Sequence, residues 1–381
     1  MPALDVVLLT NYIPPYWLPR FQALGNEFGS FRVLESVPMP PERPWNVRRD
    51  GLTVETQRTL TFRRTRQHPY GFRNEIYIHL PYDTMVRLYR LKADVIISDE
   101  FGARTLQTSV YRLARPESRL IIWAALSEHT ERGIGLFRQI LRRALVPLAD
   151  AVLVNGASGA RYMKRLGVAD QKIFVVPPAT DQRRFSSVRL ERQPGETRRL
   201  IYVGRLIELK GLVPFLVVLC NWCAAHPTSK VEFWLVGDGP ERAMLEKVSL
   251  PPGLTLHFCG NIAYDDLPAF YSQAAILAFP TLAESWGLVV NEAMAAGLPV
   301  LGSVYSQAVE ELVTDGMNGW TFRPNRSDEM YRALDRALAI SPDDFQRMGS
   351  AARRAVEHLT PEFSANRIID AIRFVHGENR R

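Results

Sequence analysis

Cysteine is scarce: Cys220, Cys223 and Cys259 are the three in 381 residues. The first two form a C-x-x-C inside an apolar helical stretch. There is no second ligand pair and no placement at a helix N-terminus, so the spacing argues against zinc and redox roles and reads as small buried hydrophobes. Long apolar runs are absent too. The run from Leu212 to Cys220 contains a proline and falls far short of the roughly 20 residues that cross a bilayer, so no transmembrane helix is expected. The N-terminal MPALDVVLLTNY lacks a basic n-region and reads as a first buried strand; no secretion signal and a cytoplasmic location are the expectation. No solenoid-period repeat occurs. No basic motif interleaved with aromatics suggests a nucleic-acid partner.

What is present is apolar enough to fold, at 46% hydrophobic and 23% charged residues, and the length suits two α/β domains. The net charge of +7 is uneven. Residues 1–181 carry 25 Lys/Arg against 17 Asp/Glu, a net of +8, while residues 182–381 carry 22 against 23, a net of −1. A basic first half suggests an anionic partner there, either an acidic membrane surface or a phosphorylated acceptor.

Strand-like and helical runs alternate from the start, DVVLLT, WLPRFQALGNEF, FRVLES, which is a β-α-β pattern. Residues 38–75 interrupt it with prolines and arginines and read as exposed loops with a strand or two. The alternation resumes with a helix near Tyr82 to Leu91, the strand DVIISD, a helix from Ala103 to Leu113, and the strand RLIIWAA. Ligands bind at the carboxyl ends of parallel strands, which brings Glu100, Glu128 and His129 to the active edge of a first domain. Gly135 to Leu148, GLFRQILRRALVPL, resembles a basic amphipathic helix. Either its apolar stripe packs inward with the arginines solvated, or it meets a membrane. A hinge is expected from Pro177 to Arg198. The domains are therefore drawn as 1–180 and 186–360, with a C-terminal helix in 361–381 returning to the first.

In the second half, Tyr202 to Gly211, YVGRLIELKG, is a strand running into a glycine-bounded loop with Arg205 and Lys210 five apart. Two cations at such a turn suit a diphosphate, although the Walker A order is absent. VGDGPE, with Gly237 and Gly239, and FCGNI, with Asn261 and Ile262, are the next strand ends. Phe279 to Val300, FPTLAESWGLVVNEAMAAGLPV, turns through Gly287 into a short helix that opens at Leu288. Glu284 and Glu292 flank that turn, and both are expected to face the helix mouth, a natural phosphate seat. Paired carboxylates beside a phosphate site suit a hydroxyl-rich phosphate ester, and the candidate ligand is a nucleotide sugar.

These segments resemble the retaining glycosyltransferases of the GT-B fold, glycosyltransferase family 4 of the group 1 type. The resemblance spans almost the whole chain. It implies an α/β architecture of two Rossmann-like, doubly wound parallel-sheet domains facing across a cleft. GRLIELKG, starting at Gly204, looks like the family's G-R-x-x-x-x-K-G motif, which would make Arg205 and Lys210 the leaving-group cations. Glu284 and Glu292 match its E-x7-E pattern, the first implied to hold donor-sugar hydroxyls and the second the ribose. The backbone amides of Gly287 and Leu288 are implied at the sugar or diphosphate, and Asn261 and Ile262 near the base. Many members place a His directly after the strand that here ends in alanines; His129, a few residues later, is carried as the catalytic-site candidate on the acceptor side, with Glu100 and Glu128 as acceptor contacts.

The expected activity is metal-independent hexosyl transfer, with retention, from a UDP- or GDP-sugar to a glycan, lipid-linked or otherwise anionic acceptor, in cell-envelope polysaccharide or glycolipid synthesis. No cofactor is expected, and no D-x-D occurs to hold a metal on the diphosphate. The protein is expected to be cytoplasmic, with peripheral contact on the inner face of a membrane. A nucleotide-sugar epimerase, or a nucleotide-sugar-binding protein without turnover, is the alternative.

Overall fold

The computed structural model describes residues 4–39, 49–187 and 197–377. The proline- and arginine-rich run 40–48 and residues 188–196 of the expected hinge lie outside them. The chain divides into two compact units, one of residues 1–66, 75–179 and 360–381, the other of residues 67–74 and 180–359.

The first unit begins with β1 (Asp5–Thr10), α1 (Leu18–Glu27), β2 (Ser30–Glu35), β3 (Thr53–Thr56), β4 (Thr59–Gln67) and β5 (Arg73–Pro81). It continues through α2 (Thr84–Leu91), β6 (Val95–Asp99), α3 (Ala103–Ala114), β7 (Arg119–Ala124), α4 (Leu136–Leu145), β8 (Ala151–Val154), α5 (Ala157–Arg165) and β9 (Ile173–Val175). Among the described residues its main sheet has the order β3-β2-β1-β6-β7-β8-β9, with every pair parallel. Its central strands are near-continuous apolar runs, as VVLL in β1 and VII in β6, because helices cover both faces. The order reverses between β1 and β6.

The second unit runs α6 (Gln182–Ser186), β10 (Thr197–Val203), α7 (Leu212–Ala225), β11 (Lys230–Val236), α8 (Arg242–Leu245), β12 (Leu254–Gly260), α9 (Leu267–Gln273) and β13 (Ile276–Phe279). Then follow α10 (Leu288–Ala295), β14 (Val300–Ser303), α11 (Gln307–Leu312), β15 (Gly319–Phe322), α12 (Ser327–Leu338) and α13 (Pro342–Val356). Its parallel sheet has the order β12-β11-β10-β13-β14-β15 and reverses between β10 and β13. All three cysteines are free thiols; burial on α7 pushes the Cys223 thiol up to about 11, so it serves as a core residue.

The last helix, α14 (Pro361–His376), belongs to the first unit. Thr360 caps it by accepting from the Phe363 N–H at 3.1 Å, and Pro361 occupies the position where a missing N–H costs nothing. Its buried residues Ala365, Ile368, Ile369, Ile372 and Val375 form one helical stripe in the core with Phe21 and Leu24 of α1. Each buried isoleucine there contributes about 1.5–3 kcal/mol. Arg20 of α1 is buried in the same region. Its guanidinium lies over the Trp17 and Trp123 rings, 5.2 and 4.5 Å from their centroids, and donates to Ser364 Oγ at 3.2 Å.

Two parts of the first unit depart from the sequence reading. Residues 53–81 hold three strands, and the nine-residue β4 and β5 pair with each other. Most of β4 is solvent-exposed, so it shows no half-buried alternation that would mark a strand. Of the two arrangements open to helix α4, inward packing of its whole apolar stripe is not the one adopted: Leu136, Phe137 and Ile140 are exposed. Arg142 is buried along with Leu145, ion-paired with Glu131 at 2.5 Å and lying over the Phe101 ring. Among the described residues no helix is long and apolar enough to cross a membrane.

Candidate active site

In a doubly wound sheet the loops leaving adjacent strands on either side of the reversal diverge and open a crevice. In the second unit those loops follow β10 and β13, and the sequence places its cations on one and its acids on the other. The first loop leaves β10 through Gly204, makes a turn at residues 208–210, and enters α7 through Gly211 in the left-handed region at φ 66°. A Cβ on Gly211 would stand 2.4 Å from the Pro280 carbonyl oxygen, so glycine is what lets the two loops touch. The Leu282 N–H donates to the Leu209 carbonyl at 2.9 Å and locks them together.

Lys210 Nζ forms an ion pair with Glu284 Oε2 across this junction, and lies 5.7 Å from the Phe279 ring centroid. Both side chains retain about a fifth of their exposure, so the pair is reachable by a ligand. Glu284 is fixed by its own N–H donating to the Tyr305 carbonyl at 3.0 Å. Arg205 is exposed. Its carbonyl accepts from the buried Tyr202 hydroxyl at 2.7 Å, which sets the course of the loop beneath the guanidinium.

Gly237 and Gly239 stitch the next strand end to this loop. The Gly204 N–H donates to the Val236 carbonyl, the Leu206 N–H to the Asp238 carbonyl, and the Gly237 N–H to the Gly260 carbonyl, all within 3.0 Å. Asn261 and Ile262 follow directly, exposed and half-buried respectively. Gly287 starts α10 at φ 108° with Phe279 and Ser306 against its Cα. The first amides of α10, at Leu288 and beyond, carry the positive end of the helix dipole.

Glu292 occupies a different environment from Glu284. It is 4% exposed on α10, and its Oε2 accepts from the Tyr271 hydroxyl at 3.0 Å. Tyr264 supplies a second hydrogen bond, and burial pushes the carboxyl up to about 7 despite both. The structure therefore unites Lys210 with Glu284 and places Glu292 with two tyrosines. Neither tyrosine was singled out from sequence. The signal available was Tyr271 on the apolar face of a short helix, where a buried phenol needs a polar partner. Phe185 packs edge-on against both tyrosine rings. The tip of the β4–β5 hairpin, also missed, belongs to this unit: Tyr70 stacks on Tyr305 with centroids 5.0 Å apart, and the Arg73 N–H donates to Glu208 at 2.7 Å.

The acceptor-side candidates lie in the first unit. Glu100 follows β6 at the reversal point, in the left-handed region at φ 63°, and accepts from Asn11 Nδ2 at 3.1 Å. Beside it the Asp99 carboxyl, buried and next to Glu100, is pushed up to about 7. Glu128 is committed to ion pairs with Arg161 and Arg165 and to Ser158, an anchor for α5. His129 is half-buried in the loop after β7, where its carbonyl accepts from the Arg132 N–H at 3.4 Å.

Two doubly wound units, one with a cation–carboxylate pair across its reversal point, define a two-unit α/β protein with parallel sheets. Residues 197–339 match the family described as Glycosyl transferases group 1. Those residues carry the module of the group 1 glycosyltransferases, and the two sheets give the chain the GT-B fold. The sulfoquinovosyl transferase SQD2 of Arabidopsis thaliana is 30% identical over 172 residues, 45% of this chain and 32% of that protein. The D-inositol 3-phosphate glycosyltransferase of Nocardia farcinica is 28% identical over 241 residues, 58% of this chain and 51% of that one. The match thus spans about half or less of these relatives' length. The structure of Anabaena HepE in complex with UDP superposes with a TM-score of 0.71 at 16% identity, covering 97% of this chain and 99% of that one.

Proposed function

We propose that the protein transfers a hexosyl unit from a nucleoside-diphosphate sugar to an acceptor hydroxyl with retention at the anomeric carbon. The observation that carries this reading is the Lys210–Glu284 pair at the reversal point of the second sheet. A cation and an acid held that close are complementary to the two halves of such a donor. Lys210, with Arg205, would take the diphosphate, and Glu284, released from Lys210, would accept hydrogen bonds from sugar hydroxyls. Glu292 would hold the ribose, and the α10 amides the β-phosphate.

In the reaction the bond from the anomeric carbon to the diphosphate oxygen breaks. The acceptor oxygen bonds to the same face, and its proton passes to the departing phosphate. Arg205 and Lys210 stabilise the charge that develops on that phosphate. The UDP complex of HepE, a protein of the same fold, supports a nucleoside-diphosphate donor, with UDP- and GDP-sugars the candidates. The reaction is proposed to be metal-independent because no D-x-D is present to hold a metal on the diphosphate. The acceptor, a glycan or lipid-linked molecule of the cell envelope, would engage the first unit through Glu100 and His129 on a cytoplasmic protein.

The test is donor turnover with UDP- and GDP-sugars, with and without acceptor and EDTA. Lys210→Ala should lower kcat by about 10²–10³-fold with the circular dichroism of the fold unchanged, and EDTA should have no effect. Near-wild-type turnover by the folded variant would remove the leaving-group assignment.

A further inference from the structure

Three neighbouring helices of the first unit share an unusual surface. Helix α3 lies against both α2 and α4. On α3 the side chains of Leu106, Val110 and Leu113 are exposed, at the i, i+4, i+7 spacing of a single outward stripe. Helix α2 repeats the pattern, with Tyr82 just before it and Val86 and Tyr89 within it; Tyr89 leans edge-on against the buried Tyr111 of α3. Helix α4 adds Leu136, Phe137 and Ile140, and Phe137, at 78%, is the most exposed large apolar side chain among the described residues. Stripes of this kind ordinarily face a core. Here the cores of the helices are built by other residues, such as Leu88, Tyr111 and Leu145.

The charge on the same helices has one sign. Together they contain seven arginines and no Asp or Glu. Four of the arginines serve the fold: Arg87, Arg112 and Arg142 are ion-paired, and Arg104 is buried against Asn11 and Ser36. Arg90 and Arg143 point to solvent beside the apolar stripe. A second copy of this chain would meet the face with the same arginines, so self-association opposes like charge to like charge. A surface that is apolar below a layer of negative charge is complementary to it, and that describes a bilayer with anionic headgroups.

We propose that the α2–α3–α4 face of the first unit docks on an anionic membrane, with Leu136 and Phe137 at the start of α4 entering the acyl boundary and Arg90 and Arg143 meeting headgroups. This goes beyond the transfer reading and does not depend on it.

Cosedimentation of the full chain with phosphatidylcholine vesicles, with and without phosphatidylglycerol, tests the proposal. The wild type should pellet with phosphatidylglycerol vesicles, less so at high salt, and weakly with phosphatidylcholine alone. Leu136→Ser combined with Phe137→Ser should weaken binding at least about tenfold, and each of Arg90→Glu and Arg143→Glu by about fivefold or more. All four positions are exposed, so melting temperatures should stay at the wild-type value. Lys210→Ala should pellet as the wild type does, which separates failure here from failure of the transfer reading. Equal pelleting with both lipids, none at low ionic strength, or wild-type pelleting by the α4 variant would overturn the proposal. So would a concentration-dependent rise in mass by light scattering that the α4 variant abolishes.

Discussion

Glu292 is a carboxyl in a place that disfavours its charge. Burial raises it to about 7, and the hydroxyls of Tyr271 and Tyr264 pull it only part of the way back. The sign of the resulting pH dependence follows from linkage. The folded state holds the proton more tightly than the unfolded chain, whose carboxyl has its ordinary value near 4.5. The charged group therefore costs nothing below about pH 4.5. Its cost grows as pH rises toward 7 and is complete above it, on the order of 3 kcal/mol. Glu292→Gln keeps the shape and an acceptor for Tyr271 but cannot ionise. The variant should melt above the wild type at pH 8, with the gap closing or reversing by pH 5; an equal gap at both values would mean that the carboxyl titrates in the fold as it does in the unfolded chain. If the ribose hydroxyls donate to this group, they stabilise its charged form. Nucleotide should then bind the wild type more tightly at pH 8 than at pH 5.5, a difference the glutamine variant loses.

At the scale of elements, the site rests on loops that approach too closely for side chains. A Cβ on Gly237 would stand 2.0 Å from the Gly204 carbonyl oxygen, at φ 132°. Gly237→Ala must push the end of β11 away from the loop after β10, and backbone strain of this kind costs about 1–3 kcal/mol. The variant should show a lowered melting temperature together with weakened nucleotide binding, read by thermal shift with and without UDP. Unchanged binding would separate this strand end from the donor site. These elements were legible in the sequence because strand, glycine turn and helix follow one another within a dozen residues, as in YVGRLIELKG. The partners of Glu292 were not, since Tyr271 reaches it from a different helix, 21 residues away in the chain. Nor was the orientation of α4. Periodicity shows that a helix has two faces; which one is buried was decided by Glu131, Tyr162 and Phe101 gathering around Arg142.

Over the whole molecule, connectivity and compact units do not coincide. The chain completes the first sheet, builds the second, and sends α14 back into the first core, while the hairpin tip 67–74 clusters with the second unit. The alternation of strands and helices was enough to read two parallel sheets, because each βαβ step is local. The hairpin tip was not readable, because its partners Tyr305 and Glu208 lie more than 130 residues away. This division gives the donor reading a spatial signature. Ligand at about a hundredfold above its Kd stabilises the state that binds it by about 2.7 kcal/mol, and backbone amides that open locally around the ligand should report that gain as slowed hydrogen exchange. With UDP in such excess, protection should rise in residues 202–211, 236–241, 258–262 and 284–292. The hairpin tip 67–74 should follow them, as it is held by Tyr305 and Glu208. The β1–β6 region of the first unit should exchange as it does without nucleotide. Protection that appeared there and spared the loops after β10 and β13 would move the donor site to the other sheet, and with it the roles given to Lys210 and Glu284.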